Sequence, residues 1–293
     1  MQKFNKHFII VGSARSGTSW LTEIIATQFR YRLLFEPEHE FNTTDGHLIC
    51  DQFFDGTIPT NAETYLTRVF KNKVDNDWIA QCSDRRYKMH LWPLLPKKYI
   101  IKFVRANLAA VAINANFHIP VVHIIRNPYE VLYSQQRVKF PWLYDLEHFK
   151  VQKALVQLLK TTYNFDLIST DTYSDLERLT IRWCIENVIP IHLKPATNNS
   201  YKVIKYEDLY KDINVFYELC DTFDLEPLKN IEEVYKKPSS KTHPKSSIRN
   251  QMNQKMRFTD DDYKCINALL KVFKVDFYDY IISDFPIEGN MYE

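Results

Sequence analysis

The stretch Phe8-Ile9-Ile10-Val11-Gly12-Ser13-Ala14-Arg15-Ser16-Gly17-Thr18-Ser19-Trp20 sets the tightest limit on how this chain can fold. An apolar run forms a buried strand, a turn of small and hydroxyl-bearing residues follows, and a segment of helical periodicity begins. A strand, a tight turn and a helix N-terminus in that order make a cradle for an anion, because the turn's N–H groups and the helix dipole converge on one spot. The spacing of Gly12 and Gly17 is that of an ATP- or GTP-binding loop, in which Lys and then Ser or Thr would follow the second glycine. Here Thr18 takes the lysine position, and the positive charge lies inside the loop at Arg15. Without that lysine the loop is poorly built for a triphosphate and suits a shorter anion, such as one phosphate carrying one sulfate.

A second element supports the first. Pro120 to Ile125 is a buried-strand run, and Arg126-Asn127-Pro128-Tyr129-Glu130 follows it. Asn127 suits an N-cap, Pro128 the first helical position, and Glu130 a capping-box spacing. Arg126 therefore stands at the carboxyl end of a strand, with Ser134 on the second turn of the next helix. Ligands of open α/β sheets bind at such strand ends, so the two residues can grip one anion. Taken alone, a salt bridge and a helix-surface serine are the simpler reading.

Together these segments resemble a known family. Gly12-Ser13-Ala14-Arg15-Ser16-Gly17-Thr18-Ser19 resembles the 5′-phosphosulfate loop of sulfotransferases, which use 3′-phosphoadenosine 5′-phosphosulfate (PAPS) as sulfuryl donor. Arg126 to Ser134 resembles that family's 3′-phosphate motif, whose Arg and Ser hold the extra phosphate of the ribose. Leu34-Phe35-Glu36-Pro37, Ile100 to Arg105 and Val203 to Leu209 are similar, in the expected order, to segments of the carbohydrate-directed branch. In the tail, Ser246, Ser247 and Arg249 lie where relatives place a loop over the 3′-phosphate. The resemblance implies PAPS as donor, no metal, a hydroxyl-bearing acceptor that is a carbohydrate, and binding by Gly12 to Ser19, Arg126, Ser134, Ser247 and Arg249.

Composition narrows the alternatives. The formal charge of +2 and the absence of a lysine-rich stripe argue against nucleic acid as main partner. The cysteines (Cys50, Cys82, Cys184, Cys220, Cys265) are scattered and include no C-x-x-C, so zinc and redox motifs lack support. Residues 1–6 pass straight into the first strand, leaving no room for a signal peptide, and no apolar run approaches the ~20 residues that span a bilayer. A cytoplasmic enzyme is the expectation. No linker, repeat or low-complexity stretch divides the chain, so one domain over 1–293 is expected, with an acceptor-binding insert around 41–98.

Along the chain, continuous apolar strands at Tyr99–Val104 and Pro120–Ile125, a short strand at Leu33–Phe35 and a less buried one at Tyr201–Tyr206 alternate with helices. The first helix is expected over 17–29, and others at 108–115 and 147–160, the latter with Val151, Leu155, Leu158 and Leu159 inward. Ser174-x-x-Glu177 and Thr259-x-x-Asp262 read as capping boxes opening two more, and Val215, Phe216, Leu219 and Phe223 mark another. The alternation predicts an α/β fold of three layers: a parallel, P-loop NTPase-like sheet flanked by helices.

Sulfuryl transfer needs in-line positioning and charge stabilisation on the leaving oxygen. Arg15 is placed to contact the 5′-phosphate and the bridging oxygen, Thr18 and Ser19 to add donors, and Lys102, at a strand end, to reach the sulfate or stand in water. A base must face the loop. Glu36 is the choice, on the expectation that it follows a strand neighbouring the first; the resemblance agrees. Glu38, His39 and Glu40 crowd the same stretch and stay open, His39 having the more suitable unperturbed pKa of ~6.5. Trp183 reads as a core residue. Aromatics and cations of the insert (Phe53, Phe54, Tyr65, Trp78, Arg85, Arg86, Tyr87, His90, Trp92) suit sugar rings and an anionic acceptor, or else form a satellite hydrophobic cluster. A nucleotide-dependent kinase lacks its lysine at position 18; a non-catalytic nucleotide binder would lack the base.

Overall fold

The structure is a computed structural model that describes residues 7–28, 30–74, 76–82, 98–195, 200–239 and 258–281. Five strands, β1 (His7–Val11), β2 (Tyr31–Phe35), β3 (Lys98–Lys102), β4 (Val121–Ile125) and β5 (Tyr201–Lys205), form one sheet in the order β2-β3-β1-β4-β5. Every neighbouring pair is parallel. The helices are α1 (Thr18–Ala26), α2 (Thr60–Phe70), α3 (Asp77–Ala80), α4 (Ala110–Phe117), α5 (Pro128–Val138), α6 (Glu147–Lys150), α7 (Lys153–Tyr163), α8 (Asp175–Leu193), α9 (Tyr206–Lys211), α10 (Ile213–Phe223), α11 (Ile231–Tyr235) and α12 (Asp260–Val272).

The chain divides into two compact units. The first, Met1–Arg126 with Ile189–Lys241, holds the whole sheet. Its strands alternate their side chains between two cores. Ile9, Val11, Leu34, Ile101 and Val121 pack with Ala62, Leu66 and Val69 of α2 and Ala110 and Ile113 of α4. Phe8, Ile10, Leu33, Ile100, Val122 and Ile204 pack with Leu21, Ile24 and Ile25 of α1, Phe216 and Leu219 of α10, and Ile231 of α11. Burial on both faces explains why β1 and β4 are apolar without alternation. The result is the expected three-layer α/β architecture, with the carboxyl ends of all five strands along one edge.

The second unit, Asn127–Val188 with Thr242–Glu293, contains α5, α6, α7, most of α8, and α12. Asn127 caps α5 by accepting from Tyr129 N–H at 3.0 Å, with Pro128 opening the helix. Ser174 and Glu177 cap α8 reciprocally, and Thr259 and Asp262 do the same for α12. Trp183 is fully buried.

One expectation needs correction. The segment 147–160 is not one helix: Gln152 adopts an extended conformation between α6 and α7, which resets the helical register. Leu155 and Leu159 stay buried, whereas Val151 turns outward and is 76% exposed. The insert, to which the sequence analysis assigns no secondary structure, contains α2, whose Ala62, Tyr65, Leu66 and Val69 carry the i, i+3, i+4, i+7 pattern of a buried helix face.

Gly17 adopts a left-handed conformation (φ 91°) at the start of α1, and a Cβ there would lie 2.4 Å from the Tyr206 ring. Gly56 has a similar φ of 75° with open space around it. Gly56→Ala therefore meets only backbone strain, about 1 kcal/mol, whereas Gly17→Ala adds a steric clash and is expected to cost about 2–4 kcal/mol. Denaturant unfolding of both variants checks this; equal losses would show that Tyr206 yields freely.

Candidate active site

The loop Gly12–Gly17 leaves β1 and enters α1. Gly12 is required by close approach, since a Cβ there would come within 2.4 Å of the Ile124 carbonyl on β4. Ser13 and Ser16 are buried; their hydroxyls pair at 2.7 Å, and Ser16 N–H donates to the Ser13 carbonyl at 3.1 Å. Ala14 is buried and Ser19 half-buried. Buried Thr18 presents its carbonyl to the Thr22 hydroxyl at 2.7 Å. No side chain caps α1, so its first-turn N–H groups keep their anion-binding character.

Arg15 occupies the left-handed region (φ 76°) in the middle of this loop. Arg126, one residue beyond β4, donates from Nη1 to the Arg15 carbonyl at 3.3 Å and lies over the Tyr206 ring, 4.6 Å from its centre. Burial, and then the Arg126 charge, hold the Arg15 guanidinium below its ordinary pKa. Two cations held this close, beside a loop of N–H donors, are arranged to share an anion. Tyr206 backs the arrangement from α9, packing against Gly17 and edge-on to Trp20. Its role was not read from the sequence, although it follows a recognisable strand.

The second cluster stands on the other side of β1. The sheet order corrects one expectation: β2 neighbours β3, not β1. Glu36 nevertheless reaches the edge, because β3 supplies the link. Lys102, in register with Ile10 of β1 and Phe35 of β2, ends β3. It is 2% exposed, lies 4.2 Å over the Phe35 ring, and forms an ion pair with Glu36. The solvated reading of Lys102 is thus replaced by a buried one. Glu36 (φ 44°) donates its N–H to the Lys102 carbonyl at 3.0 Å, accepts at its own carbonyl from Trp78 Nε1 at 3.2 Å, and keeps its carboxylate partly exposed. Most other non-glycine residues with positive φ sit just past helix ends; Arg15, Glu36 and Asp51 do not. Strain of this kind persists only where the surroundings enforce it.

The other candidates separate cleanly. Arg105 binds Glu40 at 2.7 Å and Asp51 at 2.8 Å, so Glu40 serves to clamp the loop to the end of β3. Glu38 is buried beneath the turn. His39 is half-buried, edge-on to Trp78 at 4.5 Å, with burial the main cause of a lowered pKa. Thr43 and Tyr65 hydroxyls bond the Pro37 carbonyl at 3.0 and 2.6 Å and stitch the turn shut. Phe54 and Tyr65 belong to the core, so of the two readings left open for the insert's aromatics the hydrophobic cluster holds for them; Trp78 is only partly buried. Ser134 lies half-buried on α5 in the second unit. Arg85, Arg86, Tyr87, His90, Trp92, Ser246, Ser247 and Arg249 lie outside the described residues, as does Phe29 at the expected end of the first helix. Among the described residues no group of three or more His, Cys, Asp or Glu is placed to hold a metal ion, and no helix is long and apolar enough to cross a membrane.

No family model matches the chain, nor does any curated protein. Among solved structures it is similar to the sulfotransferase domain from the curacin biosynthetic pathway, at 14% identity and a TM-score of 0.46, covering 90% of this chain and 95% of that one. Mouse sulfotransferase SULT7A1 complexed with PAP is similar at 11% identity and a TM-score of 0.46, covering 93% and 86%. A sulfotransferase from Alicyclobacillus acidocaldarius matches at 16% identity and a TM-score of 0.40, covering 90% and 95%.

Burial, and then the charge of Glu36, push the Glu38 carboxyl up from 4.5 to about 7, against the pull of backbone N–H donors, Val104 and Arg105 first among them. Between those two values the folded state binds more protons than the unfolded chain, so stability falls as pH rises through the interval. The Glu38 contribution is fully present below about 4.5 and lost above about 7. Glu38→Gln should remove this dependence. The stability of wild type relative to Glu38→Gln is expected to drop by up to about 3 kcal/mol between pH 4.5 and pH 8. A constant difference over that range would show that Glu38 does not titrate there.

Proposed function

We propose that the protein is a PAPS-dependent sulfotransferase that sulfates a hydroxyl of a carbohydrate. The observation that carries the reading is the pairing, along one sheet edge, of a lysine-free phosphate loop flanked by Arg15 and Arg126 with the buried Lys102–Glu36 ion pair. The loop fits a 5′-phosphosulfate: Gly12 and Gly17 let the backbone turn closely, and the first turn of α1 is left without a side-chain cap.

In this reading the acceptor oxygen attacks sulfur in line, the bond from sulfur to the bridging phosphate oxygen breaks, and the acceptor's proton passes to Glu36. Arg15 and the loop N–H groups stabilise charge as it grows on the bridging oxygen, and Lys102 steadies the transferring oxygens. Lys102 also holds the Glu36 carboxylate in place while the acceptor approaches. Arg126 takes the 3′-phosphate, with the Tyr206 ring fixing its guanidinium plane. The carbohydrate assignment is supported by the rings beside Glu36: Phe41 is 82% exposed and edge-on to His39, which packs in turn on Trp78. Aromatic faces of this kind suit the C–H face of a sugar.

The experiment is transfer of radiolabelled sulfate from PAPS to three probes: octyl glucoside, 2-naphthol and decanol. Transfer to octyl glucoside is expected; transfer confined to 2-naphthol would keep the chemistry and overturn the acceptor class. Glu36→Gln keeps the shape but cannot accept the proton, so turnover should fall about 10²–10⁴-fold while adenosine 3′,5′-bisphosphate still binds. Wild-type turnover in the folded variant would reduce Glu36 to a structural partner of Lys102. Arg126→Ala should weaken bisphosphate binding about tenfold or more, as loss of a charge-assisted bond requires.

A further inference from the structure

Two residues beyond Glu36 the turn buries a second carboxyl. Glu38 is 1% exposed, held under a turn in which Gly46 leaves no room for a Cβ against its backbone. Its Oε1 accepts from Val104 N–H at 2.6 Å and from Arg105 N–H at 3.0 Å, whereas Oε2 is buried with no hydrogen-bond partner. An anionic oxygen buried without a donor is costly, and a proton placed on it removes much of that cost. The two N–H donors act in the opposite sense, because they favour the anion. Glu38 is therefore poised between its two states.

The charged and titratable groups around it are Glu36, His39 and Glu40 on its own turn, Lys102 and Arg105 at the end of β3, Cys50 and Asp51 from the following loop, and Tyr65 from α2. Both cations are engaged elsewhere, Lys102 with Glu36 and Arg105 with Glu40 and Asp51. Among the charged neighbours Glu36 acts on Glu38 most strongly.

We propose that Glu38 is a positioning residue for this site: a buried carboxyl behind Glu36 whose ionisation strengthens Glu36 as a proton acceptor. The inference rests on the reading of Glu36 as the base. With Glu38 neutral, the Glu36 carboxylate faces the Lys102 ammonium and meets no negative charge from Glu38. Once Glu38 ionises, a second negative charge stands behind Glu36, and two neighbouring carboxylates resist staying charged together. The proton leaving the acceptor hydroxyl is then held more firmly at Glu36. Coupling of this kind is reciprocal, so removing the charge of Glu36 must make Glu38 easier to ionise.

The test uses the full chain labelled with ¹³C at glutamate carboxyls, together with the pH profile of turnover on whichever of the three acceptor probes reacts fastest. Wild type should show one carboxyl titrating near neutrality, assigned by its loss in Glu38→Gln. In Glu36→Gln that midpoint should move down toward the ordinary carboxylate range; an unchanged midpoint overturns the coupling, and this arm does not depend on Glu38→Gln folding. Wild-type turnover should rise about three- to tenfold as Glu38 ionises, and Glu38→Gln should stay on the low plateau throughout. A Glu38→Gln profile superimposable on wild type overturns the proposal while leaving Glu36 as base. Full turnover in Glu36→Gln overturns the base reading itself, and the role of Glu38 with it.

Discussion

A buried lysine ammonium at the end of β3 governs the layout of this site. Lys102 stands on a strand covered by neighbours on both sides, and at 2% exposure its charge needs a partner within reach. The chain leaving β2 supplies one by turning sharply. Glu36 does so in a left-handed conformation, bonding the Lys102 backbone as well as its side chain. The turn then has to be pinned, and the clamp of Arg105 on Glu40 and Asp51, with the Thr43 and Tyr65 hydroxyls on Pro37, pins it. The Lys102–Glu36 pair and these clamps together hold the chain from Phe35 to Asp51.

The loop on the far side of β1 follows the same logic with different means. Burial, and then the charge of Arg126, disfavour the charge of Arg15, a cost that an anion would relieve. Ion pairing fixes the Glu36 side, whereas the loop side gathers positive charge and N–H groups. Arg15 and Glu36, like Asp51, hold a left-handed backbone away from the helix ends.

Much of this was legible in the sequence, and the reasons are local. Strands buried on both faces read as unbroken apolar runs, which is why β1, β3 and β4 stood out. Capping boxes at Ser174 and Thr259 and the Asn127-Pro128 start announced their helices because caps depend only on neighbouring residues. Strand order was not legible, since nothing in the composition of β2 says that β3 lies between it and β1. For the same reason the ion pair of Glu36 with Lys102 emerged only from the fold. Glu38 was hidden by its company: a glutamate within Glu36-Pro37-Glu38-His39-Glu40 looks solvated, and its burial depends on Gly46 and on the backbone of residues 104 and 105, far away in sequence. The pattern of α2 was present and was masked by the loop-like segments on either side of it.

The central claim is that the loop and Arg126 together recognise a nucleotide carrying phosphate at both the 5′ and 3′ positions. Calorimetric titration of the full chain with adenosine 3′,5′-bisphosphate and, in parallel, with adenosine 5′-phosphate measures that directly. The account requires the bisphosphate to bind at least about tenfold more tightly, the worth of one buried charge-assisted contact. Equal affinities for the two nucleotides would contradict it.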